Sequence, residues 1–169
     1  MTARERFAAA RVARLATTGQ EGPHLVPVVF AVAGDTIYHA VDHKPKRTTA
    51  LKRLANHLRA DPRAPLVADA YDEDWERLWR ARADGTARIL EPAAAEAREA
   101  VRLLAERYEQ YRSSLPTRPV IAVDVTRWST WAATPERRLR PPEPDKPDAH
   151  RRAASPVTAW ATSGVPMRA

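Results

Sequence analysis

A chain of 169 residues with a formal charge of +7 is long enough for one domain with a substantial core and too short for two of ordinary size. It has no cysteine, which excludes disulfides, thiolate metal sites and cysteine nucleophiles and fits a reducing cytoplasm. The N-terminal MTARERFAAARVARLA lacks the uninterrupted apolar run of a signal peptide, and no stretch approaches about 18 consecutive apolar residues, so neither export nor membrane spanning is expected.

In chain order, a short helix is expected over Arg4–Ala10, followed by strands over Val12–Thr17, Leu25–Ala33 and Thr36–Val41. The segments TTGQEGPH (17–24) and AGDT (33–36), and later ADGT (83–86), read as hairpin turns, because Gly-Asp and Asp-Gly supply the positive φ that tight turns need. Between Thr48 and Arg59, Leu51, Leu54 and Leu58 recur at helical spacing with Lys52, Arg53 and Asn56 turned away, and Ala60–Pro62 ends the run. Strands are then expected over Ala64–Tyr71, Trp75–Ala83 and Thr86–Leu90. A helix over Pro92–Arg112 carries Ala97, Val101, Leu104, Tyr108 and Tyr111 on one face, and a last strand covers Val120–Trp128. Seven strands joined mainly by short turns point to an antiparallel barrel or sandwich, mainly β, decorated by two or three helices.

After Ala133 the character changes. Residues 134–169 hold seven of the fifteen prolines and show no periodic apolar face, so a barrel domain over 1–133 and a disordered Pro/Arg-rich tail over 134–169 are expected. The tail carries seven basic and four acidic groups, leaving +4 on the first 133 residues, a surplus that one anionic ligand per subunit would match.

Signatures of protein-borne catalysis are missing: no G-x-G-x-x-G, P-loop, H-E-x-x-H or G-x-S-x-G occurs. His39 and His43 are four apart, but a zinc pair at that spacing needs a helix, and Pro45 after a strand argues against one. Asp72, Glu73 and Asp74 present too few ligands for calcium and read as a solvated connection. Without a nucleophile or an acid–base pair, any catalysis belongs to a bound cofactor. No catalytic residue and no metal ligand is therefore assigned.

Two features stand out. The segment VDHKPKR (41–47) contains two of only four lysines in a chain with 24 arginines, and it leads directly into the helix at Thr48. Cations, hydroxyls and the unpaired amides of a helix start make a phosphate site, although a solvated, threonine-capped loop would look the same locally. Pro27 interrupts the apolar HLVPVVFAVAG, marking an edge, a bulge or a place where a ligand approaches, because proline cannot donate to a sheet.

The order of RFAAARVARLATTGQEGPHLVPVVFAVAGDTIYHAVDHKPKR, LKRLANHLRADPRAPLVADAYDEDWERLWRARADGTARIL and PVIAVDVTRWSTWAA resembles the flavin/deazaflavin-binding split-barrel superfamily, the pyridoxamine phosphate oxidase-like fold. Within it the chain is similar to the actinobacterial class of oxidoreductases that use coenzyme F-420. The resemblance implies a split antiparallel barrel and a homodimer with cofactor at the subunit interface. A small organic substrate would exchange a hydride with F-420, or alternatively with FMN. It places Pro27, Val28 and Val29 beside the cofactor ring and Lys44, Lys46, Arg47 and Thr48 on the ribityl phosphate. Asp42 and His43 would lie nearby, Trp79 would come from the partner, and Trp128 and Trp131 would cover the site or pack the barrel end. With only two phenylalanines and acidic residues mixed among the bases, no nucleic-acid partner is expected, and without a long apolar run no membrane partner either.

Overall fold

The structure, a computed structural model, describes residues 1–41 and 48–134, the side chains of 48–51 excepted. Alternation sets the walls. In β1 (Ala13–Gly19), Ala13, Leu15 and Thr17 are buried while Arg14 and Thr18 face water. β1 pairs along its whole length with β2 (Gly22–Val28), from Ala13 opposite Val28 to Gly19 opposite Gly22. β3 (Ala31–Ala33) and β4 (Thr36–Ala40) form the next hairpin. The first turn, Gln20–Glu21, is closed by Gly22 and the second begins at Gly34, and their φ of 97° and 58° suit glycine.

The helix α2 (Thr48–Ala60) leads to β5 (Leu66–Ala70), and β6 (Trp79–Leu90) runs antiparallel to β7 (Val120–Ala132) over its full length. All seven strands join one antiparallel sheet in the order β2-β1-β5-β6-β7-β4-β3. The two edge strands are consecutive in the chain, linked only through Val29 and Phe30. That arrangement is the expected split barrel.

Small residues line the interior. Ala13, Ala64, Ala68, Ala81, Ala83 and Ala87 are buried, and the room they leave is filled by two phenylalanines. Phe7, from α1 (Ala3–Ala9), and Phe30 are wholly buried with ring centroids 4.9 Å apart, and Trp128 meets Phe7 edge-on at 5.4 Å. Burying each ring contributes about 2–3 kcal/mol. Outside the barrel, α3 (Ala95–Arg107) packs Ala97, Ala100 and Leu104 inward. Arg88 of β6 ties this helix down, bonding both oxygens of Glu96 (2.7 Å each) and both of Asp124 on β7. Glu96 also accepts from the Tyr38 hydroxyl (3.0 Å), and Asp124 from Thr36 (3.1 Å). The Arg88 hydrogen bonds hold both carboxyls below their ordinary pKa, while burial, then the bond to Glu96, raises that of Tyr38.

Several expected boundaries change. ADGT is no hairpin: β6 runs straight through it, with a register shift at Asp84/Gly85 opposite β7. A Cβ on Gly85 would sit 2.3 Å from the Asp124 carbonyl oxygen, so the glycine serves a bulge where two strands touch, rather than a turn. The expected strand from Trp75 starts only at Trp79, because Asp74 caps a single 3-10 turn over Trp75–Arg77. The expected strand Leu25–Ala33 breaks at Val29–Phe30. The expected long helix breaks at Tyr108, which is extended, before α4 (Glu109–Ser113). No described helix is long and apolar enough to cross a membrane. The expected tail lies outside the described residues from 135 onward.

Candidate functional site

The seam between β2 and β3 is built from an edge strand whose outer face is apolar. Pro23, Leu25 and Pro27 point outward, Leu25 being 65% exposed, while Val26 is half-buried. Pro27 lies opposite Arg14 on the edge strand, so its missing N–H removes no inner ladder bond. Val28 points into the barrel core at 4% exposure and offers a ligand its backbone alone. Val29 is half-buried and packs toward Ala31, Ala40, Leu104, Tyr108 and Tyr111.

Beyond Val28 the backbone leaves the sheet, and side chains take over its hydrogen bonding. The Tyr108 hydroxyl accepts from Phe30 N–H (3.2 Å) and lies 2.9 and 2.8 Å from the carbonyls of Phe30 and Arg11, to which its single proton can be given. Arg107 Nε donates to the same hydroxyl (3.1 Å), and its guanidinium stacks over Phe30 at 5.1 Å. From the other side His39 Nδ1 lies 3.1 Å from the Val29 carbonyl. A carbonyl only accepts, so this bond places the imidazole proton on Nδ1.

The basic half of the candidate site starts three residues after His39. Asp42, His43, Lys44, Lys46 and Arg47 lie outside the described residues, as does the side chain of Thr48. The backbone of α2 does begin at Thr48, and its first turn contains no acidic residue, so no side chain of the helix neutralises its positive end. Farther along, Lys52, Arg53, Asn56 and Arg59 form an exposed face, and His57 is buried against the β1–β2 hairpin. His57 Nδ1 and Thr17 Oγ1 are 3.0 Å apart, and a Cβ on Gly19 would meet the imidazole at 2.3 Å. This contact fixes α2 against β1. A cavity of about 710 Å³ opens here, lined by Gln20, Glu21, Lys52, Arg53, Asn56 and His57 among others.

Trp79 and Pro27 sit on strands that are not neighbours in the sheet. Three steps of sheet order separate β6 from β2, and Trp79 is half-buried with the Arg6 guanidinium over its ring at 5.8 Å. Trp128 packs on Phe7 and donates Nε1–H to Asp35 (2.9 Å), whereas Trp131 is 51% exposed. None of the candidate cofactor residues whose side chains are described lines the apolar groove of about 760 Å³ between α3 and residues 112–120. Among the described residues no three His, Asp or Glu side chains gather as metal ligands.

Sequence reasoning missed His39, Tyr108 and His57 as organisers of this region. In the sequence His39 reads only as a metal-ligand candidate, and Tyr108 only as part of a helix face. Their partners, the Val29 carbonyl, the Phe30 and Arg11 backbone and the Thr17 hydroxyl, lie far away in the chain or across the hairpin, which no local pattern marks.

No curated protein matches the sequence. Solved structures share its fold at low identity. A conserved hypothetical protein of Mycobacterium tuberculosis is 24% identical with a TM-score of 0.59, over 79% of this chain and 86% of that one. A FAD-binding protein of Mesorhizobium loti is 18% identical, TM-score 0.56, over 76% and 90%. The heme storage protein HutZ of Vibrio cholerae is 15% identical, TM-score 0.57, over 76% and 90%. The pyridoxamine 5'-phosphate oxidase family matches residues 2–132, nearly the whole described barrel, and the chain belongs to that family.

Proposed function

We propose that the protein is an oxidoreductase that binds coenzyme F-420 and transfers a hydride to or from a small organic substrate, acting as a homodimer with cofactor at the subunit interface. The observation that carries it is an apolar, proline-marked edge strand in a chain whose sequence also runs a basic segment into a helix start free of acidic residues. The donor set fits a flat ring joined to a phosphate: apolar faces suit the ring, and cations with helix amides suit the anion. When bound, the cofactor supplies the hydride chemistry. The chain's own part is to hold and orient. Lys44, Lys46, Arg47 and Thr48 take the phosphate, Pro27 and the backbone of Val28 and Val29 support the ring, and the partner's Trp79 closes it from outside.

FMN shares the ribityl phosphate and is the alternative cofactor. The exposed Lys52, Arg53 and Arg59 on α2 favour F-420, whose longer anionic tail can use cations beyond the phosphate clamp. Titration of the apoprotein with F-420, FMN and hemin tests this. Tighter binding of F-420, weakened about tenfold or more by Lys46→Ala with an unchanged melting temperature, is expected. Equal affinity of the variant would remove the phosphate assignment, and preference for hemin would replace it with the chemistry named for HutZ. Tight binding without turnover across a broad substrate screen would instead indicate a cofactor carrier.

A further inference from the structure

The seam of the barrel raises a question of registry. A cofactor gripped at ring and phosphate binds tightly only if the two grips are held at the right spacing beforehand. The ring grip, Pro27–Val29, ends where β2 leaves the sheet, and Val29 and Phe30 belong to no strand. The phosphate grip follows β4 in sequence. β3 is only three residues long and its pairing with β4 stops at Ala31 opposite Tyr38, so His39 lies just beyond the reach of β3. On its other side His39 remains fixed in the sheet, opposite Ile121 of β7.

From that position its Nδ1–H donates to the Val29 carbonyl across 3.1 Å. His39 thus substitutes a side-chain bond for the ladder bond that β3 no longer supplies. It does so on the one strand that leads directly into residues 42–47. Tyr108 holds the neighbouring Phe30 from the helix side, but it lies in the sequence far from the basic segment.

We propose that His39 is a positioning residue of the cofactor site, tying the ring-bearing end of β2 to the strand that delivers the phosphate clamp. It rests on the cofactor assignment above. His39 touches neither ring nor phosphate in this scheme; it acts through the Val29 carbonyl. The bond needs a donor at the Nδ1 position, which asparagine presents at nearly the same reach and alanine does not.

The test compares wild type, His39→Ala and His39→Asn by titration with F-420 and with FMN, following the absorbance and fluorescence of the bound ring. Melting of each apoprotein and amide hydrogen exchange at Val29 and Phe30 are measured in parallel. His39→Ala is expected to exchange faster at the seam, to bind the cofactor about fivefold to tenfold more weakly and to shift the bound-ring spectrum, while its affinity for inorganic phosphate stays unchanged. His39→Asn is expected to recover wild-type affinity within about twofold. Wild-type affinity and spectrum in His39→Ala would overturn the proposal alone. So would an asparagine variant as weak as the alanine variant, since that points to ring packing. A wild-type chain that binds neither cofactor would overturn the cofactor assignment and this role with it.

Discussion

Gly85 shows how a single atom decides the path of a strand. An added Cβ would lie 2.3 Å from the Asp124 carbonyl oxygen, 2.9 Å from its carbon and 3.0 Å from Val125 Cα. All three are backbone atoms of the paired strand, and none can rotate away. Gly85→Ala is therefore expected to cost about 2–3 kcal/mol, read as a lower midpoint in urea or heat, with the affinity for cofactor unchanged. An unaltered midpoint would mean that β6 and β7 can part here at no cost. The Asp84-Gly85 pair is plain in the sequence as a place where the backbone must do something unusual. What it cannot show is whether the glycine turns the chain back or lets a distant strand come close, since Asp124 is far away in sequence. Lys44 and Lys46 were legible for a different reason: in a chain of 24 arginines and four lysines, a local pair stands out without any knowledge of the fold.

Among the elements, α3 is held by two devices at its two ends. At its C-terminal end the residue after the last turn, Tyr108, abandons helical geometry at φ −125° and ψ 121° and sends its hydroxyl to the Phe30 backbone. Tyr108→Phe leaves a buried amide without that partner and should cost about 1–3 kcal/mol, with faster hydrogen exchange at Phe30. No change in exchange would show that water replaces the hydroxyl. At the N-terminal end Glu96 is bound by Arg88, which also holds Asp124. Each carboxyl has a folded pKa below its ordinary value, 4.5 for Glu96 and 3.8 for Asp124, so the stabilisation they provide is present above those values and is lost as the pH falls through the folded ones. Stability should fall below about pH 4.5 in wild type, and Arg88→Met should flatten that fall while lowering stability at pH 7. An acid limb as steep as wild type in the variant would contradict this. Because the groups are largely solvated the effect is modest. The helical spacing of Ala97, Val101, Leu104, Tyr108 and Tyr111 correctly marked which residues face inward. It could not mark the break, because Tyr108 keeps the helical interval while its partner is 78 residues away.

For the whole molecule, strand content and antiparallel character followed from alternation and turns, but strand order did not. Nothing local tells β1 to choose β5 as its second neighbour or β4 to choose β7; those pairings follow from closing a barrel around Phe7 and Phe30. The same closure leaves β2 and β3 as edges and puts Pro27 on one of them. An exposed apolar edge with Leu25 and Pro27 outward, and Trp79 on a strand three places away in sheet order, are what the proposed second subunit would complete. Sedimentation of the purified protein should give a dimer, and a monomer at micromolar concentration would remove the partner's Trp79 from the site. The central claim, that this barrel carries F-420, is tested most directly by purifying the protein from an F-420-producing host and recording the absorbance and mass of the small molecule that leaves it on denaturation. The account predicts the deazaflavin, with its charged tail intact, at close to one per subunit. FMN, FAD or haem in its place, at the same ratio, would contradict it.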